Sequence, residues 1–284
     1  LREGIALRRR RVSRGGRLAT PVLLWSGSAL PRSFPANQYP FRASSHFLYF
    51  AGMPLQNAVI YLDRGKLTLL MDDASPADAL WHGDSPRVEQ IAEKIGAIAA
   101  YPLSHLSEVA EGCATIPVQD LATRQDQVRV LGRELGEAST LQGEDLKLAE
   151  AIIPLRLVQD EGAIAALRQA ADVTVQTHLA GMTHTRPAKT EAEIRAAMEA
   201  VILGADMTPA YASIVTVQGE VLHNMQYHRS LDPGALLLVD VGAEHALGWA
   251  SDVTRTWPVA GQWSPSQREL YNIVLAAHDA CIAA

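Results

Sequence analysis

Two carboxylates, Asp240 and Asp252, combine residue type and spacing in a way that could do chemistry. Asp240 closes the aliphatic run Ala235-Leu236-Leu237-Leu238-Val239, which reads as a strand covered on both faces. Asp252 sits inside residues 249–257, WASDVTRTW, which alternate with period two as a half-buried strand does. Gly242, Ala243, Glu244, His245 and Gly248 supply turn chemistry between them, so the simplest connection is an antiparallel hairpin. Folded about its middle, that hairpin sets Asp240 opposite Asp252 on one face. Directly opposed Cβ atoms are about 4.5–5.5 Å apart, a separation at which like charges destabilise a sheet. A divalent cation between them would offset both the repulsion and the cost of a carboxylate flanked by Val and Leu. The structural alternative is that Asp240 caps the turn while Asp252 faces water beside Arg255.

Other residues extend the pattern. Leu222-His223-Asn224, Val239-Asp240-Val241-Gly242-Ala243-Glu244 and Ser251-Asp252-Val253-Thr254-Arg255-Thr256-Trp257-Pro258-Val259 occur in that order. Together they resemble the aminopeptidase P and prolidase group of metallopeptidases, with the nearer likeness to Xaa-Pro aminopeptidases. On composition alone His223 is a loop histidine. The resemblance implies instead a substrate-side histidine that contacts the peptide and steadies the transition state, with Asp240 and Asp252 as metal ligands. Asn224 stands where an aromatic is frequent in the family and Trp249 where Tyr is, so the substrate pocket is expected to differ.

A chain of 284 residues is long enough for one large or two ordinary domains. Its 48% hydrophobic and 20% charged residues suit a globular protein. A net charge of −6 argues against a nucleic-acid binder that works through a global basic field. Cys113 and Cys281 are too few and too scattered for a disulfide framework or zinc knuckle, which points to a reducing compartment, the cytoplasm. No apolar run approaches the roughly 20 residues that span a membrane. Arg8-Arg9-Arg10-Arg11 ahead of Val22-Leu23-Leu24-Trp25 superficially suggests a signal peptide. Pro21 and the intervening arginines disfavour it, leaving a basic first helix with a solvated face, followed by a strand.

The elements that must carry these residues divide at 154. Residues 1–154 read as a mixed α/β domain: Ala58-Val59-Ile60-Tyr61-Leu62 and Leu67-Thr68-Leu69-Leu70-Met71 form a hairpin across Asp63-Arg64-Gly65-Lys66. Tyr39-Pro40-Phe41-Arg42, Phe47 to Gly52, and Leu80-Trp81-His82-Gly83 resemble the N-terminal domain of the same peptidases, which shapes the substrate entrance and helps build oligomers. Residues 155–284 begin with a helix capped by Asp160, whose apolar positions Ile164, Leu167, Ala171, Val175, Leu179 and Met182 recur at helical spacing. His178 lies beside that stripe and reads as a core or boundary histidine. Thr190-Glu191-Ala192-Glu193 opens a second helix with a capping box, and residues 211–217 read as a strand. The Asp240–Asp252 separation is one residue longer than the family's usual spacing, which a bulge at Gly248 would absorb.

The implied architecture is α/β (α+β): an N-terminal creatinase-like mixed domain, then the front part of a pita-bread metallopeptidase domain. The implied cofactors are two divalent ions, Mn²⁺ first, with Co²⁺ or Zn²⁺ as alternatives. The implied reaction removes the N-terminal residue from peptides with proline second, by a water or hydroxide bridging the two ions. The implied assembly is a homodimer or homotetramer, with no nucleic-acid or membrane partner. The family's remaining ligands, one His and two Glu, cannot be placed in these 284 residues, which would leave them inactive by themselves. A dipeptide-restricted prolidase and a non-catalytic peptidase-like binding module are the competing expectations.

Overall fold

The computed structural model describes residues 2–13 and 20–284. They divide into two compact units, residues 1–165 and 166–284.

In the first unit, helix α1 (Arg2–Ser13) precedes strands β1 (Val22–Trp25), β2 (Pro31–Phe34) and β3 (Asn37–Gln38) and helix α2 (Ser45–Ala51). Strands β4 (Val59–Asp63) and β5 (Lys66–Leu70) form the expected hairpin, with Asp63 paired to Lys66. Helices α3 (Pro76–His82) and α4 (Val88–Ile95), strand β6 (Ala99–Tyr101), and helices α5 (Leu106–Val109), α6 (Leu121–Leu131) and α7 (Gly143–Leu157) follow. The sheet runs β1-β4-β5-β6, antiparallel except for the parallel β5–β6 pair. Its core gathers Leu23, Trp25, Val59 and Leu70 against Leu106, Ala110, Cys113 and Val118.

Helix α1 does not present the solvated basic face expected of it. Arg8 and Arg9 are buried. Arg8 makes a two-pronged ion pair to Asp160, Nε to Oδ2 at 2.6 Å and Nη2 to Oδ1 at 2.9 Å, and stacks over the Tyr49 ring at 4.4 Å. Arg9 donates to the carbonyls of Phe50 and Ile95, both at 2.7 Å. Two helix C-termini leave carbonyls without intrahelical donors, and a buried guanidinium with five N–H groups supplies them. Asp160 in turn accepts from Ala163 N at 2.8 Å, capping the next helix as its sequence position implies.

That helix is α8 (Glu161–His184), followed in the second unit by α9 (Glu191–Gly204), β7 (Thr208–Pro209), β8 (Ile214–Thr216), β9 (Leu236–Val241), β10 (Ala243–Glu244), β11 (Val253–Pro258) and α10 (Pro265–Ala283). The apolar stripe expected to seat α8 points outward: Ile164, Val175, Leu179 and Met182 are exposed, Val175 at 53%. The buried face is Ala163, Ala166, Ala170, Thr174, Thr177 and His178. Small side chains let the helix approach closely, and the two threonines and the histidine can hydrogen-bond to what they meet. Helix α9 opens with the expected Thr190–Glu193 capping box and buries Ile194, Met198 and Ile202. These three side chains pack on Val215, Leu237, Val239, Val241 and Trp257 to make the core of the unit.

Candidate functional site

Strand β9 is central in a three-stranded antiparallel sheet, β11-β9-β8, and its burial alternates strictly. Leu237, Val239 and Val241 go into the core, which turns Asp240 to the partly open face. Asp240 pairs with Ile214 on one side and with Thr254 on the other. The expected direct opposition of Asp240 and Asp252 is therefore not what forms. Asp252 directly precedes β11 and stands two positions before Thr254, so it is the diagonal neighbour of Asp240 on the same face. Diagonal pairs are about 7–8 Å apart, which relieves the like-charge contact without turning either carboxylate away.

The register that causes this is set at the hairpin tip. His245 N donates to Trp249 O at 2.8 Å and Gly248 N to His245 O at 2.7 Å, leaving a three-residue loop with Gly248 at φ +76°. A left-handed glycine closing such a loop is the bulge that favours this turn length. From the Glu244–Ala250 bridge down to Pro258–Leu236 the pairing keeps one register. The backbones come very close at Gly242, where a Cβ would lie 1.8 Å from the Ser251 carbonyl oxygen.

Tyr211, just ahead of β8, joins the two carboxylates. Its hydroxyl lies 2.5 Å from Asp240 Oδ1 and 2.9 Å from Asp252 Oδ1. Burial and these two carboxylates push the Tyr211 pKa well above the ordinary phenol value. The group is thus a neutral donor with one hydrogen to share between two acceptors. One hydrogen leaves the pair under-compensated, and two convergent hard oxygens in that condition suit a divalent cation. By residue order alone Tyr211 belongs only to a strand.

Helix α8 grips the hairpin beside both aspartates. His178 Nε2 lies 3.0 Å from Val253 O and 3.4 Å from Val241 O, the residues that directly follow Asp252 and Asp240. Carbonyls only accept, so Nε2 carries the hydrogen and Nδ1, buried without a hydrogen-bond partner among the described residues, is the bare nitrogen. Burial pushes the His178 pKa below its ordinary value, against the pull of those carbonyls. One turn earlier, Thr174 Oγ1 accepts from Ala243 N at 2.9 Å and touches the Ser251 hydroxyl, which donates to Ala170 O at 3.1 Å. Residues 170, 174 and 178 fall on one helix face, and their partners bracket Asp240 and Asp252.

His223 lies in the irregular stretch between β8 and β9, with its side chain exposed. Among the described residues no group of three or more His, Cys, Asp and Glu side chains is arranged to hold a metal, so His223 does not enter a three-ligand cluster with the aspartates. Its neighbour Asn224 is buried and hydrogen-bonded to Thr216.

This is a mixed α/β fold with a carboxylate pair on an antiparallel hairpin, and it has known counterparts. Residues 5–116 match the model of the aminopeptidase P N-terminal domain, and residues 165–284 that of metallopeptidase family M24. The likeness is thus to family M24 in the second part of the chain and to the aminopeptidase P N-terminal domain in the first. Among curated proteins it is 29% identical over 256 residues to the Xaa-Pro aminopeptidase of Haemophilus influenzae, covering 86% of this chain and 58% of that protein. It is also 29% identical over 256 residues to a probable Xaa-Pro aminopeptidase of Uncinocarpus reesii, covering 85% and 52%. The fold matches that of Pseudomonas aeruginosa aminopeptidase PepP with a TM-score of 0.83 at 23% identity, over 98% of this chain and 66% of that one. The chain spans about half the length of the curated relatives it matches.

Proposed function

We propose that the protein is a metal-dependent aminopeptidase that releases the N-terminal residue of peptides with proline in second position. The observation that carries this reading is the convergence of Asp240 and Asp252 on the single hydroxyl of Tyr211, on a hairpin of an M24 domain. Asp240 and Asp252 would hold the metal, two divalent ions with Mn²⁺ preferred over Co²⁺ or Zn²⁺. The bound ions would acidify a water and polarise the scissile carbonyl. The chain's own residues would do the rest. Tyr211 holds the two carboxylates together before the ions bind, and the α8 stripe fixes the backbone on which they stand. His223, exposed and at a loop tip, would reach the substrate and donate to the carbonyl oxygen as negative charge develops there.

The reading extends to assembly and location. The large apolar side chains Leu80 and Trp81 of α3 are more than three-quarters exposed, which suits an interface between copies of the chain in a homodimer or homotetramer. Cys113 is a free buried thiol whose pKa burial pushes up to about 11, and Cys281 is free as well. Both fit a reducing cytoplasm. Among the described residues no helix is long and apolar enough to cross a membrane. We take residues 1–154 as the entrance-shaping domain and 155–284 as the part bearing the carboxylates.

The test is peptide hydrolysis by the polypeptide as its source cell makes it, with chelator treatment and Mn²⁺, Co²⁺ or Zn²⁺ added back. Release of the first residue from Xaa-Pro-Xaa peptides, lost on chelation and in Asp252→Asn, is expected. Cleavage confined to Xaa-Pro dipeptides would make it a prolidase. Binding of peptides without cleavage under any ion would replace the enzyme with a binding module.

A further inference from the structure

Glu191 is wholly buried, and the mechanism above makes no use of it. It stands at the first turn of α9, yet its carboxylate serves residues far along the chain. Oε1 accepts from Thr216 Oγ1 at 3.0 Å and from Val217 N at 2.9 Å. Oε2 accepts from Arg229 N at 3.2 Å and faces the Arg229 guanidinium at 3.6 Å. Val217 opens the irregular stretch that carries His223, and Arg229 stands just ahead of the Ser230–Thr190 bridge that interrupts it. Every partner is a donor, a pattern a carboxylate satisfies and a carboxamide cannot.

A second contact reaches from Glu191 to the histidine's neighbour. Thr216 has one hydroxyl hydrogen, spent on Glu191, so its oxygen accepts from Asn224 Nδ2 at 3.0 Å. Asn224 Oδ1 then accepts from Gln226 N at 3.0 Å. The hydrogen bonds run in one direction, Asn224 to Thr216 to Glu191, and all three side chains are buried. His223, adjacent to Asn224, projects from a stretch held at Val217, Asn224, Tyr227 and Arg229. Irregular segments of this length in compact domains are usually functional, and an ungripped one would spread its histidine over many positions.

We infer that Glu191 is a positioning residue for His223, acting through Thr216 and Asn224. The inference rests on the role proposed for His223. Asn224, which departs from the aromatic frequent in this group, is on this account the anchor beside His223, with Tyr227 held separately through Ser213.

The test uses Thr216→Val, which keeps shape and removes the hydroxyl, Thr216→Ser, which restores it, and Glu191→Gln as the more disruptive change. On Xaa-Pro peptides Thr216→Val is expected to lower kcat about tenfold with KM changed less than about twofold, and Thr216→Ser to recover it. In a His223→Ala background Thr216→Val should add less than about twofold, because both changes remove one function. Multiplying effects, or a fall in stability with kcat intact, would overturn the inference. Hydrogen exchange across residues 217–229 and the His223 ring proton shift give a readout independent of catalysis. Both must change in Thr216→Val and Asn224→Ala while exchange in α9 stays as it was. An inactive wild type would remove the peptidase reading, and these two measurements would then decide the positioning claim by themselves. Unchanged exchange and shift would end it.

Discussion

Tyr211 aims its one hydroxyl hydrogen at Asp240 Oδ1 across 2.5 Å, with Asp252 Oδ1 only 2.9 Å from the same oxygen. A hydrogen bond to a charged group contributes about 1.5–3 kcal/mol. Tyr211→Phe should cost about that much stability in the metal-free protein, read by denaturant unfolding. The pH signature is specific. The folded-state pKa of Tyr211 is raised, so its contribution is complete below the unfolded value of about 10 and shrinks as pH rises beyond it. The stability gap between wild type and Tyr211→Phe should narrow above pH 10; a gap that stays constant would mean the hydroxyl is not shared as described.

The buried guanidinium of Arg8 faces Asp160 through two hydrogen bonds and Tyr49 through its ring. Lysine carries the same charge but offers neither the planar fork nor the stacking face. Arg8→Lys should therefore be far from conservative. Losing one partner of a buried ion pair costs about 3–5 kcal/mol, and Lys would recover only part of it. Because Asp160 also caps α8, far-ultraviolet ellipticity should fall along with the unfolding midpoint. Arg8→Lys with wild-type stability would show that charge alone matters there.

Gly242 is required by space, since its φ is unexceptional. A methyl group there would sit 1.8 Å from the Ser251 carbonyl oxygen and 2.7 Å from its carbon, both backbone atoms that no rotamer change can move. Gly242→Ala must open the hairpin between Asp240 and Asp252, so a loss above about 3 kcal/mol is expected. Thermal unfolding measures it. A shift within about 0.5 kcal/mol, the size of an ordinary surface change, would contradict the backbone approach described.

Much of this arrangement could be read from residue order because the signals were local. The capping box at Thr190, the Asp63–Lys66 turn and the strand ending in Asp240 each depend on neighbours a few residues apart. What was misread depends on contacts distant in sequence. The large apolar residues of α8 suggested a seating face, but the hairpin approaches too closely for them and selects Ala170, Thr174 and His178 instead. The diagonal placement of Asp252 follows from one residue at the Gly248 turn, which a count from the hairpin's middle cannot locate. Tyr211 reaches Asp240 across 29 residues, and nothing in its own neighbourhood announces that reach.

His46 gives the last prediction. It stands in the first turn of α2 with Nδ1 buried and lacking a hydrogen-bond partner among the described residues. Burial pushes its pKa down to about 4, and the nearby Arg156 adds to the lowering. The folded state thus holds the neutral imidazole while the unfolded chain takes up a proton from about pH 6.5 downward. Stability rises with pH wherever the unfolded state binds more protons, so the protein should lose stability as pH falls from about 6.5 to about 4. At 1.36 kcal/mol per pH unit the full loss is about 3 kcal/mol. His46→Leu removes this dependence and leaves that of His178, whose pKa is lowered too. Unfolding midpoints of the two proteins between pH 7 and pH 4 should therefore diverge in favour of the variant toward acid. Parallel curves would mean that His46 is solvated or partnered in solution and carries its proton at no cost.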